Sequence, residues 1–78
     1  MKKYYVISVM WGDYGDSYEF DNLSEARAFF DKKAKGLRYE MIKENDSSVI
    51  KFKKGDSWGY ELREGDETID SASYTWED

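Results

Sequence analysis

The apolar and polar positions change period several times along the chain, and each change predicts an element. "KYYVISVMW", residues 3–11, is rich in aromatic and β-branched residues and apolar at both parities, the pattern of a central strand. "GDYGD" supplies turn residues, and "SYEFD" alternates well enough to pair back as a hairpin. In "NLSEARAFFDKKAKG" the period lengthens. Leu23, Ala26, Phe30, Ala34 and Leu37 recur at spacings of three and four, and Phe29 widens the stripe. A helix over 24–36 follows, with Ser24 as N-cap, Glu25 at the positive end and Leu23 placed to staple onto Ala28. Lys32, Lys33 and Lys35 gather where the helix ends, and Gly36 reads as its left-handed stop.

Beyond Gly36 two readings compete. The stripe continues through Leu37 and Met41 if the glycine is tolerated inside a helix, at about 1 kcal/mol. "LRYEMIKE" also alternates, and a strand is preferred here. "SVIKFKK", "SWGYELR" and "TIDSASYTW" then read as a meander with turns at "GD" and "EGDE". Trp58, Tyr60 and Leu62 share one face, with Gly59, Glu61 and Arg63 opposite. In the last strand Ile69 lies on the opposite parity from Tyr74 and Trp76, so a bulge or an early end is expected. The predicted order is β-β-α-β-β-β-β. This is an α+β fold in a single domain, residues 1–78, with one helix on an antiparallel sheet of about five to six strands. Ala26, Phe29, Phe30 and Leu37 are expected to pack on Val6, Ile7, Val9, Ile50 and Leu62.

Composition narrows the chemistry. At 78 residues the chain is near the low end for a self-sufficient core. It has no cysteine and no histidine. Disulfides, thiolate metal sites and Ser–His–Asp or Cys–His catalysis are therefore excluded. Aromatics make up 18% of residues, more than one small core hides, so some tyrosines and tryptophans should sit at the surface as binding anchors. "GDSWG" is not a G-x-S-x-G elbow, and no glycine-rich phosphate loop is present. No carboxylate pair is marked for glycosidase work. The chain is expected not to be an enzyme. The opening "MKKYYVISVMW" has too short an apolar run, and no small-residue cleavage site, for a signal peptide. With no membrane span, a soluble cytoplasmic protein is expected.

Charge is unevenly spread. Residues 1–26 carry net −3, residues 27–54 net +5 and residues 56–78 net −7, for a total of −5. An acidic chain is repelled by phosphate, so direct nucleic-acid binding is not expected. The basic middle (Lys32, Lys33, Lys35 and Arg38, with Lys51, Lys53 and Lys54 around Phe52) could track a phosphate backbone. The preferred reading is that the helix-end lysines balance the dipole and the strand lysines guard an edge.

The stretch "MWGDYGDSYEFDNL" holds four carboxylates and four aromatics without a basic residue. Its acids are spaced by three, three and two, unlike a calcium loop, so neither a metal nor a cofactor is expected. Alternate positions along a strand lie about 6.6–6.8 Å apart, close to the spacing of successive phosphates. Asp13, Asp16, Glu19, Asp66, Asp70, Glu77 and Asp78 could present carboxylates to a basic groove on another protein, with Tyr14, Tyr18, Tyr74 and Trp76 among them as anchors. The acidic hairpin and the last strand are expected to form one recognition face. An ordinary solvated acidic surface is the plain alternative, as is a structural module that self-associates through a sheet edge.

In size, acidity, lack of Cys and His, aromatic content and one-helix α+β pattern, the chain resembles the small phage-encoded inhibitors of bacterial defence systems, the anti-CRISPR type. "FDNLSEARAFF" is also similar to the strand-to-helix junction common in small bacterial and phage proteins. The first resemblance implies stoichiometric, non-catalytic binding to a nuclease or CRISPR effector in the host cytoplasm, by a monomer or homodimer.

Overall fold

The computed structural model describes residues 3–10, 13–47 and 51–77. Six elements follow in order: β1 (Tyr4–Met10), β2 (Asp13–Phe20), α1 (Leu23–Lys35), α2 (Leu37–Ser47), β3 (Ser57–Glu64) and β4 (Glu67–Thr75). The four strands form one antiparallel sheet in the order β2-β1-β3-β4. The α+β class holds, with four strands and two helices in place of five to six strands and one helix.

Two departures from the predicted pattern account for the difference. Residues 37–44 are helical. Leu37 and Met41, one turn apart, are both buried, and Glu40 between them is held by two distant partners. Gly36 does not adopt the left-handed stop, since its φ is −103°. Its N–H bonds the Lys33 carbonyl while its own carbonyl accepts from the Glu40 N–H, so the chain turns and resumes helix. The expected strand at 48–54 is also missing over its described part. Residues 51–54 are irregular, and residues 48–50, Ile50 among them, lie outside the described set. Asn45 organises this segment: its Oδ1 accepts from the Phe52 N–H at 2.9 Å, and its carbonyl accepts from Lys51 Nζ. Lys51 thereby occupies an orphan carbonyl at the end of α2, and the Asn45 side chain holds the segment that follows.

α1 forms where the stripe predicts, capped two residues earlier than expected. Asn22 is the N-cap, its Oδ1 accepting from the Glu25 N–H at 2.8 Å. Leu23 becomes the first helical residue and is 41% exposed, so it does not act as a staple. Ala26, Phe30 and Leu37 meet Val6, Tyr60 and Leu62 in the core, with Phe29 partly buried at its margin. Burial of a ring such as Phe30 contributes about 1.5–3 kcal/mol.

The register assigns each side chain to a face. Val6 pairs with Leu62 and Tyr18, Ser8 with Tyr60, Met10 with Trp58, and these lie under the helices. Tyr5, Ile7 and Val9 alternate to the opposite face with Gly59, Glu61 and Arg63. Ile7 and Val9 therefore do not pack on α1, as had been expected. Both helices lie on one face, and among the described residues no helix or strand lies on the other.

Both edge strands are bulged. In β2, Gly15 and Asp16 stand opposite Ser8, between the pairs Ile7–Ser17 and Val9–Tyr14. The Asp16 N–H donates to Ser8 Oγ at 2.8 Å. In β4, Ile69 is the extra residue between the partners of Leu62 and Arg63, as the parity change predicted.

Candidate partner-binding surface

The acidic residues singled out in the sequence fall on opposite edges of the sheet. Asp13, Tyr14, Asp16, Tyr18 and Glu19 are on β2, whereas Asp66 is in the β3–β4 turn and Asp70 and Tyr74 are on β4. Two central strands separate the groups by about 14 Å. One continuous face from the acidic hairpin to the last strand is therefore not formed, because β1 and β3 pair with each other between the two hairpins.

Every residue of β2 from Asp13 to Glu19 is exposed. Tyr14 is 59% and Tyr18 38% exposed. The bulge decides where they point. Without the extra residue both tyrosines would share a parity with Asp16. With it, Tyr14 crosses to the uncovered face, where the Arg63 guanidinium lies 5.8 Å from its ring. Tyr18 stays on the helix side, its ring 4.8 Å from Phe29. Asp13, Asp16 and Glu19 form no ion pair among the described residues, although Glu19 is near enough to Lys3 to favour its charged form. Asp21, just past the strand, accepts from Lys3 Nζ at 2.6 Å, and that bond holds its carboxyl below the usual range.

The β4 group is tied into the fold. Asp70 Oδ2 accepts from Arg27 at 2.7 Å, and its Oδ1 accepts from the Ser71 N–H. Both bonds lower its pKa, Arg27 more strongly. Tyr74 packs against the core, and Trp76 lies on Phe52 with ring centroids 5.6 Å apart. Of the four, Asp66 alone is exposed without a side-chain partner among the described residues; its carbonyl accepts from Arg63 at 2.8 Å.

Sequence reasoning missed the cleft beside β2. It has a volume of about 280 Å³ between β2, the α1–α2 junction and β3. Tyr60 donates to Glu40 Oε2 at 3.0 Å, and Lys33 donates to Glu40 Oε1 at 3.1 Å. Burial, then the Glu40 carboxylate, pushes the Tyr60 phenol well above its ordinary value of 10.0. Tyr60 therefore stays a neutral donor, and this clamp fixes α2 to the sheet. The only sequence signal for it was Glu40 lying seven residues after Lys33, the spacing of two helical turns.

Among the described residues no group of three or more His, Cys, Asp or Glu is placed to hold a metal ion. No described helix is long and apolar enough to cross a membrane. No family model, no curated protein and no solved structure matches the chain.

Proposed function

We propose that this is a small non-catalytic binding protein whose β2 edge occupies a basic, nucleic-acid-binding site on a protein partner. The observation that carries this reading is that Asp13, Asp16 and Glu19 are exposed along one edge strand and form no ion pair among the described residues, with Tyr14 and Tyr18 exposed between them. Exposed carboxylates steer a cationic partner into contact, and tyrosines supply large, stiff contact area. A nuclease or CRISPR effector is the class of partner that such a surface fits, and the protein would act in the host cytoplasm as a phage or mobile-element inhibitor. The two bulges count against the competing module that self-associates through a sheet edge. A bulged edge twists its hydrogen-bonding row away from a regular partner strand.

The test is capture of a partner from a bacterial lysate, followed by binding kinetics at two salt concentrations. Asp13→Lys with Asp16→Lys is expected to slow association about tenfold at low salt and to flatten its salt dependence, leaving stability unchanged. Wild-type rates in that variant, with binding lost on changing Lys32, Lys33 and Lys35, would overturn the reading.

A further inference from the structure

The sheet face opposite the helices is built unlike the rest of this surface. Its centre is the β1 stripe Tyr5, Ile7 and Val9, half-buried only by neighbouring strands. A strand apolar at both parities suits a sheet covered on both faces. Here the described residues cover one.

Charge is scarce on this face. In a chain with 37% charged residues, the register puts only Glu19, Glu61 and Arg63 there. Two of these are spent internally. Arg63 donates to the Asp66 carbonyl at 2.8 Å and sits over the Tyr14 ring, while Glu61 accepts from Thr68 at 3.1 Å. Arg63 Nε, 4.0 Å from Glu61, is buried without a hydrogen-bond partner among the described residues. On β4 the positions facing this way are serines and threonines, and Gly59 leaves a shallow depression of about 120 Å³ beside Val9. An apolar stripe on β1, with the β3 charges already partnered within the chain and small uncharged residues along β4, has the anatomy of an interface core.

We propose that this face is covered by a second copy of the chain, sheet against sheet, in a reversible homodimer with its helices outermost. Charge selects the occupant. A basic partner drawn by the β2 carboxylates gains little from a nearly neutral surface, whereas two copies can meet over its centre with Glu61 and Arg63 already partnered within each chain and Glu19 left at the β2 rim. Small rim side chains allow two sheets to approach to about 10 Å. Four strands about 4.8 Å apart and about eight residues long present roughly 500 Å² per copy. The total of roughly 1,000 Å² is at the lower limit for a specific interface, so the dimer is weak and concentration-dependent. It leaves both β2 edges at the rim.

Salt separates this interface from the one proposed for β2. Each copy carries net −5, so the copies repel at long range. Rising ionic strength screens that repulsion and strengthens the dimer, whereas an acid-to-base contact weakens. Sedimentation velocity from about 5 μM to about 500 μM, at low and high sodium chloride, reads the outcome in the range where so small an interface binds. The expected result is a rise from 9.2 kDa toward twice that mass, larger at high salt. Ile7→Lys should weaken association at least about tenfold by burying an unpaired charge. Ser73→Lys, at an exposed rim position, should do the same and serves if the Ile7 variant fails to fold by circular dichroism. Monomer at every concentration overturns the proposal, as does a dimer indifferent to Ser73→Lys. Monomer throughout, with partner capture lost in either variant, would give the face to a heterologous partner instead. The β2 reversals are expected to leave the dimer intact, so the two readings fail independently.

Discussion

The two edges of the sheet are nearly the same in composition and opposite in use. β2 and β4 are both acidic, both carry tyrosine (two on β2, one on β4) and both contain a bulge. On β2 the carboxylates of Asp13, Asp16 and Glu19 face water, and Tyr14 is the more exposed of the strand's two tyrosines. On β4, Asp70 is held by Arg27 from α1 and Tyr74 lies against the core, with Trp76 beyond it stacked on Phe52. The asymmetry comes from the crossover. The helices leave from the β2 edge and return into β3, so α2 and the segment after it lie over the β3–β4 side. Equal composition is therefore no guide to availability. A carboxylate is free for a partner only where no element of its own chain has claimed it.

The largest expected break in this comparison is at Gly59. A Cβ there would come within 2.3 Å of the Ala72 carbonyl, which is backbone and cannot turn aside. Gly59→Ala is expected to push β4 from β3 and cost about 2–3 kcal/mol in denaturant melts. At Gly15, on the β2 edge itself, a Cβ meets the Ser8 hydroxyl at 2.6 Å. That group can rotate, so the loss from Gly15→Ala should be smaller. Equal losses would show that the edges are held with equal rigidity.

Trp76→Ala sharpens the comparison next. Trp76 was expected to anchor a partner, yet its ring packs on Phe52, and its N–H and carbonyl bond to Asp56 and Gly55. A half-buried ring removed from this position should cost about 1–3 kcal/mol. Partner dissociation should be unchanged once the lower stability is allowed for. Faster dissociation with unchanged melting would return Trp76 to the recognition surface.

The smallest effect is read by acid. The Asp70 carboxyl is held below its ordinary value of 3.8 by Arg27 and the Ser71 N–H. A depressed folded-state pKa means that the folded protein binds the proton less tightly than the unfolded chain. Its contribution is present above about pH 3.8 and is lost as pH falls through the folded value. Asp70→Asn should therefore flatten the acid limb of the stability profile below that pH. Asp21→Asn should do likewise through Lys3.

Much of the fold was legible because it is written locally. The stripe through Ala26 and Phe30 marks α1, the alternation of Trp58, Tyr60 and Leu62 marks β3, and the change of parity at Ile69 marks the β4 bulge. α2 was not legible in the same way. Eight residues with Leu37 and Met41 one turn apart also alternate, and over so short a window both periods fit. Tyr60, twenty residues beyond Glu40, settles the question by holding that carboxylate against the sheet. The β2 bulge escaped for a related reason: it depends on Ser8, on the neighbouring strand, accepting the Asp16 N–H.

What the sequence determined by itself is the class of domain, one helix, both hairpins, and the absence of cysteine and histidine chemistry. Those follow from periodicity and from which side chains exist. What only the tertiary structure decided is the second helix, the separation of the two acidic groups, and the uncovered face of β1. Strand order brings β1 and β3 together in the middle, and that pairing joins residues far apart in the chain, Val6 with Leu62 among them. No local pattern encodes it, because it is selected by the burial of Val6 and Leu62 beneath helices whose own placement depends on the same contact.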